Sequence, residues 1–345
     1  MSPRWRACSC HENDPPMSVS SEDSPMSSHT HAVTPMPGES EYCPDVVAVV
    51  VTYDPTPDIL LPVLEAAARQ VSAIIVVDNA SKQSPHDRIA MVSRNLGAEV
   101  EVLIQTNNRG LGFGYNLGIE RAQLRAAAFV LLLDQDSELE FGAVARLRAA
   151  HIELAQQGLM AAAVGPRYRD AGDGSLSEFV RVGGCRFKRI PCEAGRRTVN
   201  TDFLISSGSL MPMAALEAVG MMDEGLFIDH IDTEWCFRAR SLGFGVFGVC
   251  DAVMRHSLGE RRMAIWFLRW RKVPVHPSFR YYYIFRNSIL LRHRPYMPIK
   301  WRHADLSRLF QMVFFFGLLV PNRLANMRMM WRGLRDGLKG VTGKL

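Results

Sequence analysis

No Cys-x-x-Cys pair occurs among the seven cysteines (Cys8, Cys10, Cys43, Cys185, Cys192, Cys236, Cys250), which are odd in number and scattered. Neither a zinc ribbon nor a disulfide framework is indicated, and the pattern reads as free thiols in a reducing cytosol. Cys8-Ser9-Cys10-His11 could hold a metal, but it sits in a segment with the composition of an unfolded chain. No apolar stretch follows Arg4 and Arg6, so no signal peptide is read. The most apolar run, 312–320, falls well short of the roughly 20 residues that span a bilayer as a helix. No glycine-rich turn follows the first strand pattern. Thr52-Tyr53-Asp54-Pro55 stands there instead, which disfavours a hydride-transferring dinucleotide enzyme.

What is present is an ordinary globular composition: 345 residues, 48% hydrophobic and 22% charged. That length allows one large α/β domain with appendages or two modest domains. The net charge of +5 is unevenly spread. From Arg261 onward 18 basic residues face two acidic ones, whereas the preceding 260 residues hold 22 basic against 33 acidic. The two parts therefore attract different partners, and the basic, aromatic tail attracts phosphates.

Residues 1–44 are rich in Ser, Pro, His, Met and acids and cannot bury enough apolar surface to offset the entropy of ordering. They are expected to be disordered, with Met17, Met26 and Met36 as alternative starts. Residues 45–260 are expected to form the catalytic domain and 261–345 a helical extension. Val46-Val47-Ala48-Val49-Val50-Val51-Thr52 is a near-continuous apolar run, as a parallel strand buried on both faces requires. A helix is expected over 58–70, with Ile59, Leu60, Val63, Leu64 and Ala67 on one side. Strands follow at 73–77, 99–104 and 129–133, with a helix running to 122–127. This rhythm means a mostly parallel, doubly wound sheet.

Each strand ends in polar residues. In an open parallel sheet the ligand crevice lies at those carboxyl ends, so Tyr53, Asp78, Asn107, Asp134 and Asp136 are expected to converge. Asp and Asn after a strand are also common turn formers and helix caps. Asp134-Gln135-Asp136 follows a buried apolar strand. Two carboxylates at i and i+2 there offer hard oxygen ligands to Mg²⁺ or Mn²⁺.

The chain resembles the family 2, GT-A fold glycosyltransferases, and within them the bacterial dTDP-rhamnose-dependent rhamnosyltransferases. The resemblance covers about residues 45–300. It rests on Val51-Thr52-Tyr53, Val77-Asp78-Asn79-Ala80-Ser81, Asn107-x-x-Gly110-x-Gly112-x-Gly114-x-Asn116-x-Gly118, Leu133-Asp134-Gln135-Asp136, Gly208-Ser209-Leu210 and Phe227-Ile228-Asp229-His230-Ile231-Asp232-Thr233-Glu234-Trp235-Cys236-Phe237-Arg238. The run Phe279-Arg280-Tyr281-Tyr282-Tyr283-x-x-Arg286-Asn287 is also similar to that subfamily. It implies that Thr52 and Tyr53 contact the base and that Asp78 hydrogen-bonds the pyrimidine ring. Asn107 and the glycine loop from Gly110 would approach the nucleotide. Asp136 would be the principal metal ligand, with Asp134 assisting and His256 completing the site or contacting the diphosphate. Asp232 would be the catalytic base, Glu234 would orient base or acceptor, and Asp229 is the rival base. Asp229 and Asp232 are equally readable as caps of a helix over 233–242, and the glycines as a close-packed helix start. The stretch 203–210 reads as a strand in which Gly208 admits the donor sugar or merely makes a bulge.

The tail residues Trp266, Phe267, Trp270, Arg271, Trp301 and Arg302 suggest amphipathic helices lying on an anionic membrane surface. The alternative is a helical region packed on the catalytic core or on another subunit of a homo-oligomer. The expectation is an inverting transferase at the cytoplasmic face of a bacterial membrane. Its donor would be dTDP-rhamnose, or a UDP-sugar such as UDP-galactofuranose or UDP-N-acetylglucosamine. Its acceptor would be a glycan or lipid-linked oligosaccharide in surface polysaccharide or lipopolysaccharide assembly. Thymine and uracil differ by one methyl, about 1–3 kcal/mol of discrimination, and no residue here decides between them. Nucleic acid is not expected as a partner, because the basic stretch is apolar and carries no recognition motif.

Overall fold

The computed structural model describes residues 41–83, 89, 94, 98–170, 174–256, 261–267, 269–320 and 322–345. The segment expected to be disordered, with Cys8, Cys10 and His11, lies outside the described residues except for its last positions.

The chain enters through β1 (Cys43–Thr52), which starts slightly before Asp45 because Cys43 pairs with Val71 at the head of β2 (Val71–Asp78). Between them α1 (Pro57–Ala68) opens on a proline, whose fixed φ suits a first helical turn. There follow β3 (Glu99–Ile104), α2 (Leu111–Leu124), β4 (Phe129–Asp134), β5 (Ser137–Leu139), α3 (Ala143–Gln156) and β6 (Ala161–Asp170). A hairpin of β7 (Phe179–Gly183) and β8 (Arg186–Ile190) leads to β9 (Thr198–Thr201), β10 (Leu210–Pro212), α4 (Met213–Val219), α5 (Ile231–Ser241) and β11 (Gly245–His256).

The described residues form a nine-stranded sheet in the order β3-β2-β1-β4-β10-β6-β11-β5, with β9 paired to β11. The pairs β3/β2, β2/β1, β1/β4 and β6/β11 are parallel, whereas β10 runs antiparallel between β4 and β6. Strand order reverses at β1, with β2 on one side and β4 on the other, and a crevice opens at such a switch point. Alternation along β1 explains its unbroken apolar run. Val47, Val49 and Val51 pack under α2, while Val46, Ala48 and Val50 pack under α1 and α3. Burying each of these valine side chains contributes about 1.5–3 kcal/mol.

Several expectations are corrected. Residues 203–209 are not a strand, since only Leu210–Pro212 joins the sheet. Gly208 turns the preceding loop at φ 82°, and a Cβ there would meet Pro166 Cγ at 2.6 Å and Met254 Sδ at 2.8 Å. Cys192 and Cys250 form a disulfide, contrary to the reading of free thiols, and their 58-residue separation offers no motif by which to foresee it. The extension from residue 261 does not begin as helix. An antiparallel hairpin of β12 (Arg261–Phe267) and β13 (Arg269–Val275) comes first. Only then do α6 (Ser278–Arg292), α7 (Ile299–Phe314), a π turn (Phe315–Leu319) and α8 (Arg323–Leu338) follow.

These helices pack on the catalytic body, as the alternative reading of the tail had it. Leu291, Met297 and Trp301 enter the same core cluster as β1 and α5. Gly333 lets α8 cross α6 closely, since a Cβ there would lie 2.3 Å from the Tyr282 carbonyl oxygen. Among the described residues no helix is long and apolar enough to cross a membrane.

Candidate active site

A cavity of about 710 Å³ opens where β1 and β4 end, closed on its far side by the segment before α5 and by α6 and α7. Thr52, Tyr53, Gly110, Asp134, Asp136, Asp229 and Asp232 all line it. Asp136 and Asp232, from distant parts of the chain, thus face one space.

On the β1 side the strand ends are tied together. The Tyr53 amide donates to Gln135 Oε1 at 2.8 Å, joining the loops after β1 and β4. Thr52 and Asp78 are wholly buried, and Thr52 Oγ1 donates to Asp78 Oδ1 at 3.2 Å. Ser81 Oγ donates to the same oxygen, while Asp78 Oδ2 is buried without a protein partner. Asp78 therefore stands behind the cavity wall with one unfilled acceptor. Asn79, not singled out as a site residue from sequence, fastens the glycine loop. Its Nδ2 donates to the Gly110 carbonyl at 3.0 Å and its Oδ1 accepts from the Arg109 amide at 3.1 Å. Its position directly after Asp78 was the available signal.

Gly110 needs both its φ of 98° and its missing side chain, because a Cβ would lie 2.5 Å from the Phe227 carbonyl oxygen. Gly114 and Gly118 instead seat α2 on Val51 and Val49 of β1. The series is therefore a packing device, with Gly110 alone of these three at the cavity. The Asn107 side chain donates to Thr106 Oγ1 at 3.4 Å and lies off the lining, which Asn108 joins instead. Gly208, packed on Pro166 and Met254, also lies off it.

Asp134 Oδ1 accepts from the Tyr115 hydroxyl at 2.7 Å, and its amide donates to Ser207 Oγ at 2.9 Å. Burial first, and the Asp134 charge second, raise the Tyr115 pKa well above its usual range, so the phenol stays protonated and donates. Asp134 and Asp136 supply hard oxygen donors that suit Mg²⁺ or Mn²⁺. Among the described residues no cluster of three or more His, Cys, Asp or Glu gathers in a metal-holding geometry. Two carboxylates are fewer ligands than such an ion takes, so an ion held by them would draw the rest from substrate oxygens and water. His256 ends β11 opposite Ser137, and its side chain lies outside the described residues.

Asp232 is the second residue of α5, and its Oδ1 accepts from the Thr233 amide at 2.6 Å and the Thr233 hydroxyl at 3.2 Å. Burial pushes its pKa up to about 6 against these bonds, and the charges of Asp134 and Asp229 add to the rise. Neither Asp229 nor Asp232 caps the helix, because α5 starts earlier than expected and His230 occupies its N-cap. Asp229 is held by Arg280, with Nη2 3.0 Å from its Oδ1. Glu234 turns away from the cavity. It is buried against Arg238 at 2.9 and 3.0 Å and accepts from the Tyr296 hydroxyl, a structural ion pair rather than an orienting group.

The wall facing the nucleotide side comes from residues that sequence reasoning left out: His230, His276, Arg280, Ile284 and Arg308. Arg280 stood within the aromatic run, whereas nothing local marks Arg308. Its Nη2 donates to Asp305 Oδ1 at 2.7 Å and to His230 Nε2 at 2.8 Å. Burial, then the Arg308 charge, push His230 down to about 4, so it is a neutral acceptor near pH 7. Phe227, Asp229 and His230 all have φ near +65°, at 65°, 64° and 66°. Such non-glycine conformations cost on the order of 1–3 kcal/mol each and persist only where surrounding structure imposes them.

Comparison with known proteins agrees with this geometry. Residues 47–217 match the family described as Glycosyl transferase family 2. The dTDP-rhamnosyl transferase RfbF of Shigella flexneri is 26% identical over 303 residues, covering 87% of this chain and 97% of that protein. Among solved structures, S. aureus TarS 1-349 in complex with UDP-GlcNAc superposes with a TM-score of 0.54 at 15% identity, over 86% of this chain and 81% of that one. GalNAc-T7 with UDP, GalNAc and Mn²⁺ gives 0.52 at 12% identity, over 80% of this chain, which spans only 58% of that longer one. The two structural likenesses speak for the fold alone. With the family match over β1 to α4 and a cavity at the switch point of the sheet, residues 47–217 form a glycosyltransferase family 2 domain, and the chain is a glycosyltransferase of the GT-A fold.

Proposed function

We propose that the protein transfers L-rhamnose from dTDP-rhamnose to a glycan or lipid-linked oligosaccharide, with inversion, in bacterial surface polysaccharide or lipopolysaccharide assembly. The observation that carries this reading is that Asp232 faces the same cavity as Asp134 and Asp136, with a carboxyl pKa of about 6. An acceptor hydroxyl is a weak nucleophile near neutral pH. Asp232 takes its proton as the acceptor oxygen bonds to the sugar's anomeric carbon. The bond from that carbon to the diphosphate breaks on the opposite face, and the electron pair leaves with the nucleotide. Thr52 and Tyr53, which line the cavity, would contact the pyrimidine base, with Asp78 behind Thr52. Asp136, with Asp134, would hold a divalent cation, which would supply charge neutralisation for the departing diphosphate. The rhamnosyl donor is carried over from the Shigella relative, and UDP-sugars remain the rival donors.

Calorimetric titration with dTDP-rhamnose, UDP-galactofuranose and UDP-N-acetylglucosamine, with and without Mg²⁺ or Mn²⁺, tests the donor. The expected result is metal-dependent binding with dTDP-rhamnose at least about tenfold the tightest, the discrimination roughly 1.4 kcal/mol represents. Preference for a UDP-sugar would replace the donor and leave the class. No binding of any nucleotide sugar would end the proposal.

The same reading puts the protein peripherally on the cytoplasmic face of the membrane. Leu324, Met327, Trp331 and Leu338 form one stripe along α8, with Leu324 83% and Trp331 69% exposed, and Phe310 and Phe314 stand exposed on α7. Arg323, Arg328, Arg332 and Arg335 flank that stripe, a combination that suits an anionic leaflet and repels a second copy of itself. A reducing cytosol would keep Cys192 and Cys250 as thiols, and no catalytic step depends on their bond. In flotation assays the protein should rise with phosphatidylglycerol-containing vesicles and not with pure phosphatidylcholine, and Trp331→Ala with Leu324→Ser should abolish this. An absence of flotation on every vesicle would remove the membrane from the proposal.

A further inference from the structure

The segment joining Gly225 to His230 is the least relaxed backbone at the cavity, with three non-glycine residues at positive φ directly before α5. Its conformation is templated by one face of α6. Arg280, Tyr283 and Asn287, spaced i, i+3 and i+7, share that face. Arg280 grips the Asp229 carboxylate, and the Tyr283 ring stacks on Phe227 with centroids 5.0 Å apart. Asn287 is wholly buried, and its Nδ2 lies 2.9 Å from the Leu226 carbonyl oxygen, 2.8 Å from that of Ile228 and 2.9 Å from that of Asp229. An amide has two N–H bonds, so at least one is shared among these three acceptors. The neighbouring side chain fixes which way that amide points. Arg286 Nε donates to Asn287 Oδ1 at 2.9 Å, which turns the NH₂ end toward the carbonyls. The Arg286 guanidinium continues the grip, with Nη2 2.8 Å from the Leu226 oxygen and 3.2 Å from the Gly225 oxygen.

We propose that Asn287, oriented by Arg286, is a positioning residue that holds the strained 226–229 backbone and thereby aims Asp232 into the cavity. It touches no reacting group. This rests on the reading of Asp232 as the base. The ends of β1, β2 and β4 on the nucleotide side take none of these bonds, although the Phe227 carbonyl of the clamped turn accepts from the Leu111 amide at 2.6 Å beside Gly110. Loss of the clamp should therefore act chiefly on turnover and much less on donor affinity.

The test compares Asn287→Ala, Arg286→Lys, Asp232→Asn and the double variant Asn287→Ala with Asp232→Asn in the full chain. Each is measured for kcat and for the dissociation constant of the donor nucleotide sugar with its metal. Asn287→Ala should lower kcat at least tenfold while changing the donor dissociation constant less than threefold. Arg286→Lys keeps the charge but loses the bond to the Asn287 amide, and should give the same split with a smaller loss. The double variant should be no slower than Asp232→Asn, because a positioning group has nothing left to act through. Wild-type kcat in folded Asn287→Ala, or losses that multiply in the double variant, would overturn the clamp. Should Asn287→Ala not fold, Arg286→Lys decides alone by the same split. Wild-type kcat in Asp232→Asn is a separate result that removes the base and with it the ground for this inference.

Discussion

Asp232→Asn should lower kcat by at least about 10²-fold, the range for a lost general base, and at the same time make the protein more heat-stable at pH 7. Both effects come from one cause. Burial raises the Asp232 carboxyl to about 6, and the Asp134 and Asp229 charges push the same way, although two bonds from Thr233 oppose them. An unfolded aspartate titrates near 4, so folding takes up a proton at this site between about pH 4 and pH 6. The site's contribution to stability is thus fully present below about pH 4 and lost as the pH rises through about 6. Above that, the native state carries an ionised carboxylate that it solvates poorly. Asparagine removes that penalty, by up to about 1–2 kcal/mol once water in the open cavity is allowed for, or a few degrees of melting temperature. No gain should appear at pH 4. The wild-type kcat/KM should also fall about tenfold per unit below pH 6, as the base becomes protonated. Differential scanning calorimetry at pH 4 and pH 7, with a pH–rate profile, checks all of this. An unchanged melting temperature at both pH values would show that the site is solvated like an ordinary surface carboxylate.

Asp136→Asn should reduce turnover by about 10²–10³-fold, in the range for removing one electrostatic stabiliser of a transition state, and should make donor affinity independent of Mg²⁺ or Mn²⁺. The second readout is the more specific. Asp136 lines the cavity two residues beyond Asp134, and Asp134 is also engaged by the Tyr115 hydroxyl and Ser207. If Asp136 carries the cation, its loss removes the attraction between that cation and the donor diphosphate, and titrations with and without metal should coincide. If metal dependence survives Asp136→Asn and disappears in Asp134→Asn, the principal ligand is the other carboxylate.

β1, β2 and β4 were legible because each is buried on both faces and leaves a near-continuous apolar run, whereas β3, at the sheet edge, is only partly buried and alternates acidic with apolar residues. The expected 99–104 strand is β3 as observed, and the other expected strands differ from theirs by a few end residues. Asp134 and Asp136 were legible for the related reason that polar residues directly after such a run must sit at a strand's carboxyl end. Glu234 misled because a carboxylate two residues from Asp232 looks equivalent in one dimension. On α5 two residues are about 200° apart, so one carboxylate faces the cavity while the other faces Arg238 and Tyr296. Gly208 and Asn107 misled in a similar way, since adjacency to a motif does not say which way a loop turns.

Local pattern therefore decided the parallel sheet and its family, and which acids stand at strand ends, because those depend on burial periodicity and residue order along short stretches. Only the folded chain decided what closes the cavity. Arg280 and Arg308 reach it from helices that sequence pattern read as a membrane-facing or oligomerising tail. Cys192 meets Cys250 across 58 residues, and the Asn287 side chain adds hydrogen bonds to the carbonyls of Leu226, Ile228 and Asp229 in the strained turn. These are long-range contacts, whose geometry follows from how the helices pack on the sheet, and the spacing of Arg280, Tyr283 and Asn287 marks a helix face without saying what it meets.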